Sequence, residues 1–142
     1  MIKILISCGA GMSSSYLAQK LQIACKEQGL DKEFSFDFFP IHLSEVQAEN
    51  KLKEYDICMV CPHLRLFVKE LCAKYKISTP IYVLPPRMYG TMFLDQVVTD
   101  AKDIIEGFKE NPMNPWHFPN EENPLRIKRR FAYRNQHLDN GK

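Results

Sequence analysis

The strongest constraint on the fold is a regular alternation of short apolar runs with helix-length segments, repeated four times. The apolar runs predict strands at 2–8, 34–39, 56–61 and 80–84, and the periodic segments predict helices at 14–29, 43–54, 63–75 and 92–108. Strands that alternate with helices of this length favour a parallel sheet covered by helices on both faces. We therefore predict an α/β fold built on an open four-stranded parallel sheet.

Residues that interrupt regular structure stand at the predicted boundaries. Gly29 lies where the first helix is expected to end, either His42 or Ser44 precedes the second, and Pro62 marks the turn before the third. Pro85 and Pro86 end the fourth strand, because proline cannot donate to a ladder. Right-handed crossovers bring the carboxyl ends of all four strands to one edge. The loops 8–15, 40–43, 62–65 and 85–91 are expected to meet there, where open parallel sheets bind ligands.

The first of these loops carries the chemistry that the sequence suggests. It reads Cys-Gly-Ala-Gly-Met-Ser-Ser-Ser from Cys8 to Ser15, between the buried strand and a periodic stretch that begins at Tyr16. The glycines allow a tight turn, and Ser13 to Ser15 are predicted to cap the helix. The first N–H groups of a helix lack intrahelical partners and, with the helix dipole, favour an anion. We predict a phosphate cradle that contains its own nucleophile.

Cys8 is the predicted nucleophile. A helix N-terminus lowers the pKa of a cysteine from ~8.5 to roughly 3.5–7.5, so the sequence predicts a Cys8 that is largely ionised at cellular pH. Backbone and hydroxyl donors for the phosphate are expected from Gly9, Ala10, Gly11, Met12, Ser13, Ser14 and Ser15. The alternative is that Cys8 is only a small buried residue. Its place between a strand and a loop of glycines and serines makes that alternative less economical.

The other cysteines are predicted to pack in the core. The chain has five cysteines, an odd number without framework spacing, which favours free thiols. Cys58 and Cys61 form a Cys-x-x-Cys motif inside an apolar strand, which predicts that their side chains point to opposite faces. A zinc site needs a second ligand pair, which His63 alone does not supply. Cys25 and Cys72 follow helical apolar patterns and are also expected in the core.

Composition places the chain among soluble single domains. Its 142 residues carry a net charge of +2, too little to indicate a polyanionic partner. No apolar run approaches the ~18 residues that span a bilayer, and the N-terminal segment is a poor signal peptide. We therefore expect a cytoplasmic protein.

The composition changes after about residue 108. The segment 109–142 has four prolines between 112 and 124 and five arginines or lysines between 126 and 134, and residues 111–142 alone carry a net charge of +3. We favour a solvated or loosely docked extension, since Trp116, Phe118 and Phe131 are available to dock it on the domain. The alternative is a basic contact for a membrane surface, an acidic partner or nucleic acid.

Three stretches of the chain form a recognisable set: Ile4 to Leu17 with the cysteine loop, Asp56 to Arg65 with the third strand and its loop, and Ile81 to Met92 with the fourth strand. Together they resemble the IIB components of the phosphoenolpyruvate-dependent sugar phosphotransferase system (PTS), in the lactose, cellobiose and chitobiose class. The resemblance covers about residues 1–108 in the right order. The extension 109–142 is longer than expected for the family.

The resemblance implies a flavodoxin-like fold, close to that of low-molecular-weight tyrosine phosphatases, with a P-loop-like phosphocysteine loop. It implies that Cys8 accepts a phosphoryl group from a phosphohistidine of a IIA protein and passes it to a sugar carried by a membrane IIC permease. This is the activity of a protein-Npi-phosphohistidine–sugar phosphotransferase, with no metal, no cofactor and no nucleic-acid partner. Docking of IIA and IIC is expected at a rim formed by Pro62, Arg65, Arg87 and Tyr89.

Two other functions remain open at this level. Low-molecular-weight phosphatases place a cysteine in the same loop but use Cys-x5-Arg to clamp phosphate, and here Ser14 occupies the arginine position. A phosphatase acid from another loop keeps the hydrolase alternative open. The domain is also compatible with a regulatory module that is phosphorylated at Cys8 and binds a partner through the basic extension.

Overall fold

The computed structural model describes residues 1–8 and 11–139, with 11–14 and 139 described by their backbone alone. Four strands form one parallel sheet in the order β2-β1-β3-β4. They are β1 (Ile2–Ser7), β2 (Phe34–Phe38), β3 (Ile57–Val60) and β4 (Ile81–Val83). The predicted open four-stranded parallel sheet with surrounding helices is confirmed.

Helices connect the strands and cover both faces of the sheet. They are α1 (Gly11–Glu27), α2 (Glu45–Leu52), α3 (Arg65–Lys74), α4 (Pro86–Thr91) and α5 (Leu94–Glu110). Their ends follow local sequence signals. Ser44 caps α2 by accepting a hydrogen bond from the Gln47 N–H, and Gly29 takes a φ of 73° after α1, in the left-handed region that favours glycine.

Two local predictions were wrong. The first helix begins at Gly11, so Ser13 to Ser15 lie inside its first turns instead of capping a helix that starts at Tyr16. The segment 85–91, expected to be a loop, contains the six-residue helix α4, for which Pro86 provides a first residue with a preset φ.

The sheet separates two apolar clusters. One joins the faces of α1 and α5 to alternate residues of the strands, among them Ile4, Ile6 and Tyr82. The other joins α2 and α3 to the remaining positions, among them Leu5 and Val60. This alternation follows from the period of two along a strand and explains why the central strands are continuously apolar.

The extension after α5 packs on the edge of the sheet. The Trp116 N–H donates to the Ile81 carbonyl at 2.9 Å, beside the last strand. Asn114 accepts from the Ile81 N–H at 2.8 Å and donates to the Thr79 carbonyl at 2.9 Å. Trp116 and Phe118 are buried in the cluster under α5. The extension is therefore docked, not solvated, and two of the three aromatic residues named for this role, Trp116 and Phe118, are buried against the domain.

Gly107 is the contact point between α5 and Trp116. A Cβ atom at position 107 would lie 2.4 Å from Cζ2 of Trp116. Glycine inside a helix normally lowers stability by up to about 1 kcal/mol relative to alanine. At position 107 this loss of helix propensity allows the indole of Trp116 to pack closely against α5.

Gly107→Ala is expected to destabilise the protein, although the change is favourable in an open helix. Overpacking against the indole predicts a loss of about 1–3 kcal/mol in the free energy of unfolding. Urea unfolding followed by circular dichroism measures it. Gly90→Ala is the matched control, because Gly90 has open space around its Cα and no positive φ. A Gly107→Ala protein as stable as the parent would contradict the packing argument.

Candidate functional site

Cys8 lies at the carboxyl end of β1, immediately after the strand. The chain crosses from β1 to β2 on one side and later returns to β3 on the other, so the strand order reverses between β1 and β3. Open α/β sheets bind ligands at such a reversal, outside the carboxyl ends of the strands. The predicted nucleophile therefore occupies the position in the fold best suited to a ligand.

Cys61 is the neighbour of Cys8 across the reversal point. Ser7 pairs with Val60 in the parallel register, and the Cys61 N–H donates to the Ser7 carbonyl at 3.0 Å. The residue that follows β1 is therefore Cys8, and the residue that follows β3 is Cys61. The two thiols are hydrogen-bonded to each other. Cys61 lies beyond the last residue of β3 and joins the same cluster as Cys58, so the prediction that the two thiols of this motif face opposite sides was wrong.

Tyr89 of α4 supplies a second group to Cys8. Its hydroxyl hydrogen-bonds to the Cys8 side chain, which brings the end of β1 and the first turns of α4 together. The Tyr89 ring also meets the edge of the His63 ring, with centroids 6.4 Å apart. Tyr89 was predicted to form part of a docking rim. In the structure its hydroxyl contacts the Cys8 sulfur directly.

The surroundings of Cys8 favour the thiol over the thiolate. The hydrogen bond with Cys61 and burial both raise the pKa of Cys8 far above its usual range, and the hydrogen bond from Tyr89 lowers it only in part. The side chain is 2% exposed. The prediction of a largely ionised Cys8 was wrong, because a thiolate here would lose most of its contact with water.

The predicted phosphate cradle is only partly described. Gly9 and Ala10 lie outside the described residues, and so do the side chains of Met12, Ser13 and Ser14. The first turn of α1 begins at Gly11, and amide groups in such a turn have no intrahelical acceptor. Ser15 is half-buried and is the fifth residue of the helix. Donors for an anion are thus expected within four residues of Cys8.

The other rim residues lie on the elements that follow β3 and β4. Pro62 begins the short 3-10 helix Pro62–Leu64, and Arg65 begins α3. The Arg87 guanidinium donates to the Lys128 carbonyl at 3.3 Å, so this side chain contacts the extension. Arg65 lines a cleft of about 550 Å³ between α3 and the extension. All four rim residues lie near the carboxyl edge of the sheet.

Ser7 fixes a further loop beside the site. Its hydroxyl donates to the Phe39 carbonyl at 2.7 Å and accepts from the Ile41 N–H at 3.3 Å. The loop that follows β2 is therefore tied to the last residue before Cys8. Ser7 is fully buried, and this pair of hydrogen bonds accounts for a polar side chain in the core.

The sequence did not reveal the roles of Cys61 and Tyr89 at the sulfur. Cys61 was assigned to packing, and a comparison of strand registers would have been needed to place it opposite Cys8. Tyr89 precedes Gly90 in a segment that was predicted as a loop, and a loop does not fix the direction of a side chain. Cys25 is buried as predicted, whereas Cys72 is only half-buried.

No group of three or more potential metal ligands occurs among the described residues. Within 1–8 and 11–139, no helix has both the length and the apolar character needed to cross a membrane.

Comparisons with known proteins agree on one family. Residues 3–100 match the family described as "PTS system, Lactose/Cellobiose specific IIB subunit". The chain is 29% identical over 103 residues to the PTS system galactose-specific EIIB component of Lactococcus lactis subsp. cremoris (strain MG1363), which covers 72% of this chain and 94% of the relative. It is 28% identical, with the same coverage, to the cellobiose-specific EIIB component of Lactococcus lactis subsp. lactis (strain IL1403).

The matched region includes all four strands, the cysteine loop and α4. The resemblance seen in the sequence is thereby confirmed, and the chain belongs to the lactose/cellobiose-specific IIB subunit family of the sugar phosphotransferase system.

Proposed function

We propose that this protein is the cytoplasmic IIB phosphocarrier of a sugar phosphotransferase system and that Cys8 carries the phosphoryl group. The observation that supports this most is the place of Cys8 at the reversal of strand order, between the carboxyl end of β1 and the start of α1. The family contributes the general phosphotransferase role. Residues 1–108 form the carrier unit in this proposal, and 109–142 are an addition to it.

The acceptance step is consistent with a protonated Cys8. The bond between the histidine nitrogen of IIA and phosphorus breaks as the bond between the Cys8 sulfur and phosphorus forms. The thiol proton passes to the released imidazole, so charge and atoms balance. A raised pKa keeps this proton available until the donor arrives, and amide groups at the start of α1 stabilise the charge on the phosphoryl oxygens.

The second step transfers the group to a sugar hydroxyl. The sulfur–phosphorus bond breaks, a sugar oxygen–phosphorus bond forms, and the hydroxyl proton returns to sulfur. Negative charge develops on the sulfur as it leaves, and the Tyr89 hydroxyl is within hydrogen-bonding contact to stabilise it. In this mechanism Tyr89 acts on the reacting atom itself.

The proposal includes two macromolecular partners, a IIA protein as donor and a membrane IIC permease with its sugar as acceptor. The proposed docking rim remains Pro62, Arg65, Arg87 and Tyr89. Exposed apolar side chains at Tyr16 and Leu43 add contact area on elements near the same edge. The protein then associates peripherally with the permease. The names of the two relatives support a sugar of the galactose, lactose, cellobiose or chitobiose class.

Replacing the nucleophile is expected to abolish phosphorylation. After incubation with phosphoenolpyruvate, the general phosphotransferase proteins and IIA proteins of galactose- and cellobiose-type systems, intact-mass analysis is expected to show one phosphoryl adduct on the parent. Cys8→Ser is expected to show none, because a serine hydroxyl is a far weaker acceptor.

Cys25→Ser is the matched control, since this thiol is buried in the other apolar cluster. The galactose-specific relative serves as the positive control for the donor proteins. If that relative is phosphorylated and the folded parent is not, the carrier proposal fails. An adduct that remains on Cys8→Ser would assign the phosphoryl group to another residue.

Removal of Cys61 is expected to make Cys8 more acidic. Cys61→Ala deletes the contact that most raises the pKa of Cys8 and admits water beside it. Alkylation of Cys8 by iodoacetamide at neutral pH, followed at the peptide level, is expected to become about tenfold faster for each unit by which the pKa falls. Cys58 in the same protein reports general opening, because it is fully buried in the same cluster. Equal acceleration at Cys58, or none at Cys8, would contradict the interpretation.

A further inference from the structure

Arg129 is a buried and extensively hydrogen-bonded side chain of the extension. Its guanidinium donates to Glu121 from Nε and Nη2 at 2.9 Å each, to Asp100 of α5 at 2.9 Å and to the Tyr82 hydroxyl at 2.7 Å. The group is buried, and it lies over the rings of Phe118 and Tyr133 with its carbon 5.3 and 5.6 Å from their centroids. One side chain therefore links the extension to both β4 and α5.

The same guanidinium reaches α4. Nη1 of Arg129 donates to the Met88 sulfur at 3.3 Å, and Met88 is buried. One residue earlier on each chain segment, the Arg87 guanidinium donates to the Lys128 carbonyl at 3.3 Å. Two adjacent residues of α4 are thus bound by two adjacent residues of the extension.

α4 has few local features that would fix it without these contacts. It is six residues long, no side chain caps its first turn, and it ends at Met92 with a φ of 45°, a left-handed conformation that is unfavourable for a residue other than glycine. Short helices of this kind are held mainly by tertiary packing. The next residue after Met88 is Tyr89, whose hydroxyl lies on Cys8.

We propose that Arg129 is a positioning residue for the chemistry at Cys8, acting through Met88 and α4 to hold the Tyr89 hydroxyl on the sulfur. The extension is then part of the working site instead of an independent appendage. This inference rests on the proposed function for its biological meaning. Its physical content, the coupling of Arg129 to Tyr89 and Cys8, is measurable without any phosphoryl donor.

The first test compares alkylation of Cys8 in the parent, Tyr89→Phe, Arg129→Lys and the double variant. Lysine keeps the charge facing Asp100 and Glu121 but cannot reach all the partners of the guanidinium. Tyr89→Phe is expected to slow the reaction of Cys8 with iodoacetamide about tenfold, as for one lost hydrogen bond to a charged acceptor. Arg129→Lys is expected to slow it in the same direction, and the double variant to be no slower than Tyr89→Phe alone.

The direction in which the alkylation rate of Cys8 changes distinguishes a positioning role of Arg129 from a general structural role. A merely structural role for Arg129 predicts faster alkylation of both Cys8 and Cys58, because the core would open. Multiplicative slowing in the double variant, or no slowing by Arg129→Lys, would overturn the proposal. Arg134→Lys is the matched control, since Arg134 belongs to the same extension and pairs with Asp103 on the exposed face of α5. It is expected to leave the rate unchanged.

A second variant covers the case in which Arg129→Lys does not fold. Met88→Leu conserves apolar volume and removes only the sulfur that receives the guanidinium hydrogen bond. It is expected to slow Cys8 alkylation in the presence of Tyr89 and not in Tyr89→Phe. The rate of phosphoryl acceptance from IIA is also measured on the four proteins of the first test, namely the parent, Tyr89→Phe, Arg129→Lys and the double variant. If the parent accepts no phosphoryl group but the alkylation cycle is non-additive, the carrier assignment fails while the positioning proposal stands.

Discussion

The pairing of β1 with both β2 and β3 is the constraint on which the site depends. Because β1 is central and all four strands are parallel, its carboxyl end meets the carboxyl end of β3 at the reversal of strand order. The register that pairs Ser7 with Val60 then places Cys8 beside Cys61. The same alignment places the hydroxyl of Ser7 where it ties the loop after β2 to this edge.

Burial and the helix N-terminus act on Cys8 in opposite directions. The start of α1 favours negative charge near the sulfur, whereas the loss of water and the hydrogen bond with Cys61 favour the thiol. The hydrogen bond with Cys61 and burial prevail, and the pKa of Cys8 is raised. If Cys8 carries the phosphoryl group as proposed, a carrier gains from this arrangement. The buried thiol is less open to oxidation or alkylation, and the charge of the phosphoryl group would meet the amides of the first helical turn.

The sequence predicted the elements well, because each depends on local patterns. Apolar runs located the four strands to within one or two residues, and Gly29, Ser44 and Pro62 marked real boundaries. The start of α1 and the existence of α4 were missed, since glycine and proline residues that usually interrupt helices lie at their first turns. The contacts of Cys61 and Tyr89 with Cys8 depend on strand register and on the packing of α4, which local patterns do not encode.

The contacts of the extension were also not predictable from local sequence patterns. Its arginines suggested a solvated basic surface, yet Arg129 is enclosed by two carboxylates whose side chains are 0% and 11% exposed. Burial lowers the pKa of Arg129, but the hydrogen bonds with Glu121 and the negative charges around the guanidinium outweigh burial and raise the pKa above its usual value. Removing one partner of a buried ion pair lowers the stability of a protein by about 3–5 kcal/mol. The extension therefore depends on every member of this network being present, although Trp116 and Phe118 already anchor it by apolar packing. The guanidinium adds a fixed orientation to the apolar packing, because its donors contact β4, α5 and α4 at once and fix the relative positions of these elements beside Cys8.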